Sequence, residues 1–340
     1  MVSLFSLKNP FTFRKKHEYE THMKHRLSID DIRQGLPLID PSFLNTPQFI
    51  SKDLSDLFNC QLTVKIETLN PIKSFKGRGA EMLISQAEHD EPIVCASAGN
   101  FGQAMAYACQ KKKISLTVFA SKNANTYKIE MMRSFGATVL LMGEDFDEAK
   151  IIAKAHAKKL QLRFVEDSQD IQTLAGAGTI GLELLKLPYT LDTVLIPLGN
   201  GALFSGIGRV FKELSPQTEL IAVQSEGAPS MIESVRSKKL ISHPTVNTIS
   251  DGIAIRLPVK QSLVDLENLI DDTLLVSDSN TLKAMKLLHQ HLGIVSEPSA
   301  AVGIAAILEN KDRWCSKKVG AIICGSNLTP NQLKNWIMHP

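Results

Sequence analysis

Short apolar runs alternate with helical patterns along most of the chain, and this alternation constrains the fold more than any other feature. From about Leu54 onward the runs are rich in Val, Ile and Leu and are bounded by Gly, Pro, Ser or Asn. Such runs are typical of strands buried on both faces, and helices between them indicate parallel sheets covered on both sides. The predicted strands are Leu62–Glu67, Ile93–Ser97, Ser115–Ala120, Thr138–Met142, Arg163–Glu166, Thr193–Pro197, Leu220–Gln224, Leu274–Ser277 and Val319–Cys324. The predicted helices are Ala80–His89, Phe101–Lys112, Lys128–Phe135, Asp147–Leu160, Ile180–Leu187 and Leu282–His291.

The length of 340 residues suggests two domains, at roughly 150 residues per domain. Apolar residues make up 44% and charged residues 21%, which argues against a disordered chain or a collagen-like one. We therefore predict an α/β protein of two lobes, with mostly parallel twisted sheets. The net charge of +3 and two short basic runs without aromatics do not favour nucleic-acid binding. No apolar run approaches the ~20 residues of a membrane span.

Five widely spaced cysteines are an odd number, and none forms a C-x-x-C pair. A disulfide framework and a zinc site are therefore not expected, and reduced thiols indicate a cytoplasmic protein. Residues Met1–Arg26 are basic but lack the apolar core of a signal peptide. We interpret them as an arm that lies on the body of the protein.

Four loops that follow predicted strands could share one site, since ligands of α/β proteins bind at the carboxyl ends of strands. The first loop, Asn70–Ala80, places Lys76 in the first turn of a helix that Ser74 could cap. The positive end of the helix dipole could lower the pKa of Lys76, as Schiff-base chemistry requires. Taken alone, Lys76 also fits an ordinary surface lysine.

The second loop, Ser97–Gln103, is a turn of small residues between a strand and a helix. Its free backbone N–H groups could bind a carboxylate, and Asn100 could donate its side-chain amide to an oxygen. A tight turn without any ligand fits the same residues.

The third loop, Pro197–Gly206, is rich in glycine, which lets the backbone approach a phosphate. A dinucleotide-binding turn would need glycine at position 204, where Phe204 stands. Glu226 follows the next strand as a ribose-binding acid would, but a single acid is weak evidence. The loop therefore fits a cup for one phosphate.

The fourth loop, Ala321–Asn327, ends the last strand with Cys324 at its tip, although a lone cysteine also fits the core. Glu297, Pro298 and Ser299 predict the start of another helix. An amine nucleophile, a phosphate cup and a polar turn together indicate a phosphorylated carbonyl cofactor held as a Schiff base.

The chain resembles the fold type II pyridoxal 5′-phosphate enzymes, which share the tryptophan synthase β fold, and within them the serine/threonine dehydratase group. The resemblance covers roughly residues 45 to 330. It rests on six segments that occur in the family's order: K-I-E-T-L-N-P-I-K-S-F-K-G-R-G-A at Lys65–Ala80, S-A-G-N-F-G-Q at Ser97–Gln103, G-N-G-A-L at Gly199–Leu203, T-I-S-D-G-I-A at Thr248–Ala254, Glu297–Ser299 and Cys324–Asn327.

The resemblance implies a role for each loop. Lys76 would form the Schiff base with pyridoxal phosphate, Asn100 would bond the cofactor's 3′ oxygen, and Cys324 would face its pyridine nitrogen. The cofactor phosphate would lie on the backbone amides of Gly199, Asn200, Gly201, Ala202 and Leu203. The substrate carboxylate would lie on Ser97, Gly99, Asn100 and Gln103.

Several positions depart from the family. Asn200 and Ala202 stand where glycines are usual, and Phe101 stands where many dehydratases have histidine. Gln224 and Ser230 occupy the acidic positions of relatives with a divalent metal site, so we predict no such metal, although carbonyl groups could still hold a monovalent ion.

The resemblance implies β-elimination from L-threonine, L-serine or a similar β-substituted amino acid, giving a 2-oxo acid and ammonia. A racemase, a β-replacement or threonine synthase-like enzyme, and a non-catalytic binding protein of the same fold remain alternatives. Ala98 stands where related racemases carry the serine that donates the second proton, which disfavours the racemase.

We further expect a large cofactor-binding domain of residues 1–83 and 166–340, with a small domain of residues 84–165 inserted in it. The protein is expected to act as a homodimer on a small amino acid, without nucleic-acid or membrane partners.

Overall fold

The computed structural model describes residues 25–88 and 90–338 of the chain. Most of the expected N-terminal arm, residues 1–24, therefore lies outside the described residues. Arg26 forms an ion pair of 2.6 Å with the buried carboxylate of Asp265, and it donates to the carbonyl oxygen of Gln169 at 2.6 Å. These contacts hold Arg26 beside the turn that follows strand β6 (Arg163–Val165).

The elements follow one another in the β/α order that the sequence predicts, which confirms the α/β fold class. The strands are β1 (Gln48–Ile50), β2 (Gln61–Ile66), β3 (Ile93–Ala96), β4 (Leu116–Ala120), β5 (Thr138–Leu141), β6 (Arg163–Val165), β7 (Thr193–Pro197), β8 (Glu219–Ser225), β9 (Asp272–Val276) and β10 (Lys318–Ile323). The helices are α1 (Ile29–Gly35), α2 (Lys52–Phe58), α3 (Lys76–Ser85), α4 (Asn100–Lys112), α5 (Thr126–Ser134), α6 (Phe146–Leu160), α7 (Ile171–Leu184), α8 (Ala202–Leu214), α9 (Ser230–Ser237), α10 (Lys260–Leu266), α11 (Asp278–Leu292), α12 (Pro298–Glu309) and α13 (Pro330–Leu333).

The strands form two sheets. The larger sheet has six strands in the order β1-β2-β10-β7-β8-β9, and only β1 runs antiparallel to its neighbour. The smaller sheet has four parallel strands in the order β5-β4-β3-β6, all within residues 93–165. Helix α3 packs against both α4 and α7, so it joins the two sheets. The domain boundaries at 83/84 and 165/166 stay a prediction.

Each sheet has its own buried apolar core. The four central strands of the larger sheet are buried almost throughout, including all five residues of β7 and the last five of β10. Trp314 is the largest side chain in this core and is fully buried. The burial of both faces explains why these strands read as continuous apolar runs rather than as alternating ones. Within the two described ranges, no helix combines the length and the apolar character needed to cross a membrane.

The helical patterns placed three helix starts at least four residues late. Helix α3 begins at Lys76 rather than Ala80, which agrees with the loop argument that put Lys76 in the first turn; α7 begins at Ile171 rather than Ile180, and α11 at Asp278 rather than Leu282. The early turns of α3 and α7 contain glycines, which lower helix propensity and therefore hid these two starts. The glycines are needed for close packing: a Cβ on Gly79 would lie 2.7 Å from the Thr173 backbone, and one on Gly176 would lie 2.4 Å from the Gly79 nitrogen.

Candidate active site

Lys76 opens helix α3 and extends its amine into the space between the two sheets. The expected cap by Ser74 is wrong in position, because Phe75 occupies the N-cap and no side chain caps the helix. The Ser74 hydroxyl instead accepts a hydrogen bond from the Lys76 backbone nitrogen at 3.3 Å. The Lys76 amine lies 2.6 Å from a carboxylate oxygen of Asp167, a partner that the sequence argument did not include. Lys76 is thus a partly buried amine, with 17% of its side chain exposed.

The loop that ends strand β10 is joined directly to the segment before Lys76. The Phe75 nitrogen donates to the carbonyl oxygen of Cys324 at 3.0 Å, and Ser74 and Gly325 form an isolated β-bridge. The Asn327 side chain donates to the carbonyl oxygen of Ile72 at 2.9 Å. The first and fourth loops therefore meet, although more than 240 residues separate them in sequence.

The asparagine turn joins the same cluster through Asn100, the first residue of α4. The Asn100 side chain donates to Glu297 at 2.7 Å and accepts from the Asn327 amide at 2.9 Å. A Cβ on Gly325 would lie 3.0 Å from the Asn100 amide nitrogen, so the loop after β10 requires glycine where it packs against Asn100. Both ends of the Asn100 amide are held, and its orientation is fixed before any ligand binds.

The remaining residues of the asparagine turn provide polar groups that face inward. The Ser97 hydroxyl accepts from the backbone nitrogens of Gly99 and Gly102 at 3.2 and 2.9 Å. Gln103 is fully buried, and neither atom of its amide has a hydrogen-bond partner among the described residues. A buried amide without partners is costly. Gln103 therefore fits a ligand that supplies both hydrogen bonds, such as the expected substrate carboxylate together with a polar neighbour.

The glycine loop lies between strand β7 and helix α8. Gly201 has φ +99°, a conformation that favours glycine, and α8 begins at the next residue. The first backbone amides of this 13-residue helix have no partners within the helix, so they can bind a phosphate. The side-chain oxygen of Asn200 is buried and has no hydrogen-bond donor among the described residues.

Contacts also bring the glycine loop to the other loops. A Cβ on Gly199 would lie 3.2 Å from the carbonyl oxygen of Gly252, and one on Gly252 would lie 2.8 Å from the Ser299 hydroxyl. Ser299 follows Glu297, which holds Asn100. The four loops predicted from the sequence are therefore linked through residues 250–253 and 297–299.

Cys324 is 5% exposed at the end of β10, with its sulfur 3.9 Å from the carbonyl oxygen of Ser299. Burial strongly raises the pKa of the Cys324 thiol; the nearby Glu297 carboxylate adds to this, and the Lys76 amine opposes it. Cys324 is therefore a neutral thiol at physiological pH.

An ion pair between a buried lysine and the half-exposed carboxylate of Asp251, beside the asparagine turn, was not predicted. Lys128 of α5 is 3% exposed, and its amine lies 2.7 Å from Asp251 and about 4.0 Å from where a Gly99 Cβ would be. Burial lowers the pKa of Lys128, but the carboxylates of Asp251 and Glu297 outweigh it, so the net pKa is raised. Burial raises the pKa of Glu297, which the Lys128 charge opposes. The sequence did not single out Lys128, because it lies in the first turn of α5 and not in the loop directly after a strand.

A buried network of four charged side chains supports the segments on either side of Lys76. Arg78 is fully buried and forms paired contacts with Glu67 (2.8 and 2.9 Å) and with Glu183 (2.7 and 3.0 Å). Lys65, 1% exposed, is hydrogen-bonded to Glu183 as well. These four charges anchor strand β2 and helices α3 and α7 to one another on either side of Lys76.

Gln224 and Ser230, the two neutral residues for which we predicted no divalent metal site, bond to backbone groups. Gln224 donates to the carbonyl oxygen of Ile253 at 3.3 Å and accepts from the Ile232 nitrogen at 3.1 Å. Ser230 donates to the carbonyl oxygen of Ile255 at 2.5 Å. No cluster of three or more His, Cys, Asp or Glu side chains suited to a metal occurs within the described ranges.

Comparisons of this chain with protein families, protein sequences and solved structures agree with one another. The family described as "Pyridoxal-phosphate dependent enzyme" matches residues 39–325. The L-threonine dehydratase catabolic TdcB of Staphylococcus aureus (strain USA300) is 32% identical over 322 residues, covering 93% of each chain. The crystal structure of a T.th. threonine deaminase has a TM-score of 0.84 at 28% identity, covering 89% of this chain and 99% of that one. The maize serine racemase has a TM-score of 0.85 at 27% identity, covering 90% and 95%.

Proposed function

This chain belongs to the fold type II pyridoxal-phosphate dependent enzymes, and from that premise we propose that it eliminates the β-substituent of L-threonine, L-serine or a close analogue, giving a 2-oxo acid and ammonia. The observation that carries the proposal is the meeting of the Lys76 segment with three other loops. Two of these loops hold buried polar atoms without partners among the described residues, on Gln103 and Asn200. The relatives include a threonine dehydratase and a threonine deaminase, and both names agree with a lyase.

The residues present fit the cofactor. Lys76 would hold its aldehyde carbon, the amides of residues 199–203 its phosphate, Asn100 its ring oxygen and Cys324 its ring nitrogen. The left-handed Gly201 and the free backbone amides at the start of α8 are what a phosphate-binding turn requires. When bound, the cofactor supplies an electron sink for charge that develops at the substrate α-carbon.

The polar turn after β3 would orient the substrate. The backbone amides at the start of α4 and the Gln103 amide would hold the substrate carboxylate. Such fixation places the α-proton before the Lys76 amine, which accepts that proton once the substrate has displaced it. Proton transfer by a positioned side chain contributes typically about 10²- to 10⁴-fold to the rate.

Two residues favour elimination over racemisation. The neutral thiol of Cys324 provides no counter-charge for a protonated ring nitrogen, so the sink is weak and favours rapid loss of the β-substituent. Ala98 has no proton to return to the opposite face of the α-carbon. The maize serine racemase shares the fold, so the racemase remains the alternative that an assay must separate.

We propose a cytoplasmic homodimer. The five cysteines are all free, and Cys95, Cys109, Cys60 and Cys324 are buried, which suits a reducing compartment. The edge strand β1 exposes Phe49 and Ile50 at 41% and 43%, and apolar side chains on a sheet edge suit contact with a second copy. Light scattering of the purified protein would test the oligomeric state.

The decisive test of the function is a product assay. Holoenzyme is incubated with L-threonine and with L-serine, and the 2-oxo acid, ammonia and D-isomer are quantified separately. The proposal expects equal amounts of 2-oxo acid and ammonia with little D-isomer, and none from Lys76→Ala. A D-isomer that forms faster than the 2-oxo acid would make the protein a racemase, and absence of both products would exclude L-threonine and L-serine as substrates of the proposed elimination.

A further inference from the structure

Asp167 is placed at the candidate site by the turn that follows strand β6. One carboxylate oxygen lies 2.6 Å from the Lys76 amine, and the two side chains are 23% and 17% exposed. The other oxygen is buried and has no hydrogen-bond partner among the described residues. Asp167 is thus a carboxylate whose only hydrogen bond in the described structure is to the reactive amine.

The turn is built to hold Asp167 in this place. Ser168 has φ +65°, a conformation that is uncommon for a residue other than glycine. The Glu166 nitrogen donates to Asp170 at 2.6 Å, and the Ser168 nitrogen donates to the Thr173 hydroxyl at 3.1 Å. Strained backbone persists only where the surroundings determine it. The position of Asp167 therefore follows from its turn and not from hydrogen bonds to its own side chain.

We propose that Asp167 is a positioning residue that holds the Lys76 amine whenever this amine is not bonded to the cofactor. The inference rests on the proposed function, since only a reacting lysine alternates between bonded and free states. The ion pair between Asp167 and Lys76 opposes attachment of the cofactor but assists turnover. Before the cofactor binds, it stabilises the free ammonium and so competes with covalent attachment. During turnover, it stabilises the displaced amine after this amine has accepted the α-proton.

The test is Asp167→Asn, which removes the charge and keeps the size. Cofactor attachment is titrated by the absorbance of the lysine-bound cofactor, and kcat and KM are measured separately. We expect attachment to be tighter by about threefold or more, the scale of a partly exposed ion pair. We expect kcat to fall by about 10- to 100-fold, the equivalent of a hydrogen bond to a charged group, while KM changes little.

Two further variants make the result specific. Glu166→Gln removes a charge from the same turn, but Glu166 bonds to Lys150 and Lys154 rather than to Lys76, so attachment and kcat should stay at wild-type values. Asp167→Glu restores the charge and should recover part of kcat.

A merely structural role for Asp167 would weaken attachment and kcat together, with a lower unfolding temperature, and that result would overturn the proposal. A kcat within threefold of wild type would overturn it as well. If the wild type produced no 2-oxo acid, the proposed function would fail, but the attachment titration would still test Asp167: tighter binding supports the holding role, and unchanged or weaker binding refutes it.

Discussion

Replacing Glu183 by glutamine should destabilise the protein strongly, because this carboxylate neutralises two buried cations. Glu183 accepts hydrogen bonds from Arg78 at 2.7 and 3.0 Å, from the Asn45 nitrogen at 2.8 Å and from Lys65. Glutamine keeps the size but leaves Lys65 and Arg78 with only Glu67 as counter-charge. Removing one partner of a buried ion pair costs about 3–5 kcal/mol.

The lowered pKa of Glu183 indicates a contribution of similar size to the free energy of unfolding. Burial opposes ionisation, but hydrogen bonds and charge from Arg78, with the charge of Lys65, lower the pKa from 4.5 to about 2. A depression of this size is equivalent to about 3 kcal/mol of folding stability. Because the folded-state pKa is the lower one, the contribution is complete above the unfolded-state value of 4.5 and is lost as the pH falls toward 2.

The assay is guanidinium unfolding at several pH values, followed by tryptophan fluorescence, for which Trp314 in the core is a suitable reporter. At pH 7, Glu183→Gln should lose about 3 kcal/mol at unchanged m-value. Glu213→Gln, which breaks a surface contact with Arg209 at 3.8 Å, should stay within about 0.5 kcal/mol. The difference between Glu183→Gln and wild type should shrink between pH 4.5 and pH 3. A loss below 1 kcal/mol at pH 7, or a difference independent of pH, would refute the reasoning.

Three other predictions follow from the site and the thiols. Ala98→Ser should raise the ratio of D-serine to pyruvate formed from L-serine, as measured by chiral chromatography, because it adds a proton donor; an unchanged ratio would show that position 98 does not face the α-carbon. Gly201→Ala should weaken cofactor binding about tenfold in an absorbance titration, since φ +99° costs an L-residue about 1–2 kcal/mol; equal affinity would exclude the turn as the phosphate cup. Iodoacetamide at pH 8 should label the exposed Cys315 first in the native protein, because burial raises the pKa of Cys60 to about 11 and that of Cys109 to about 12, and rapid labelling of Cys324 would contradict its burial.

The regular part of the fold could be predicted from the sequence because the central strands of both sheets are buried on both faces. All nine predicted strands are present, with ends shifted by at most two residues. Strand β1 was missed, since three residues at a partly exposed edge carry no apolar run. Helix α7 was predicted to begin nine residues too late. Its close contacts with α3 and α8 require glycines, and glycines lower the helix propensity on which the prediction relied.

The sequence predicted those residues of the candidate site that lie in the turns directly after strands. Lys76, Asn100 and Cys324 all lie at turns after strands or at helix starts, and the structure brings them together through Glu297 and Asn327. Their roles toward the cofactor stay predictions. Lys128 is buried by contacts between distant segments, so no local pattern marks it. Asp167 does follow strand β6, but one acid after a strand is too common a feature to single out.

Borohydride reduction of the holoenzyme, followed by tandem mass spectrometry of its peptides, tests the central claim most directly. Reduction makes the bond between the cofactor and its lysine permanent, so the modified residue can be read from the fragment masses. We predict a single pyridoxyl phosphate group on Lys76, and none in the Lys76→Ala variant treated in the same way. Modification of Lys73 or Lys128 in place of Lys76, or no modified peptide at all, would contradict the account.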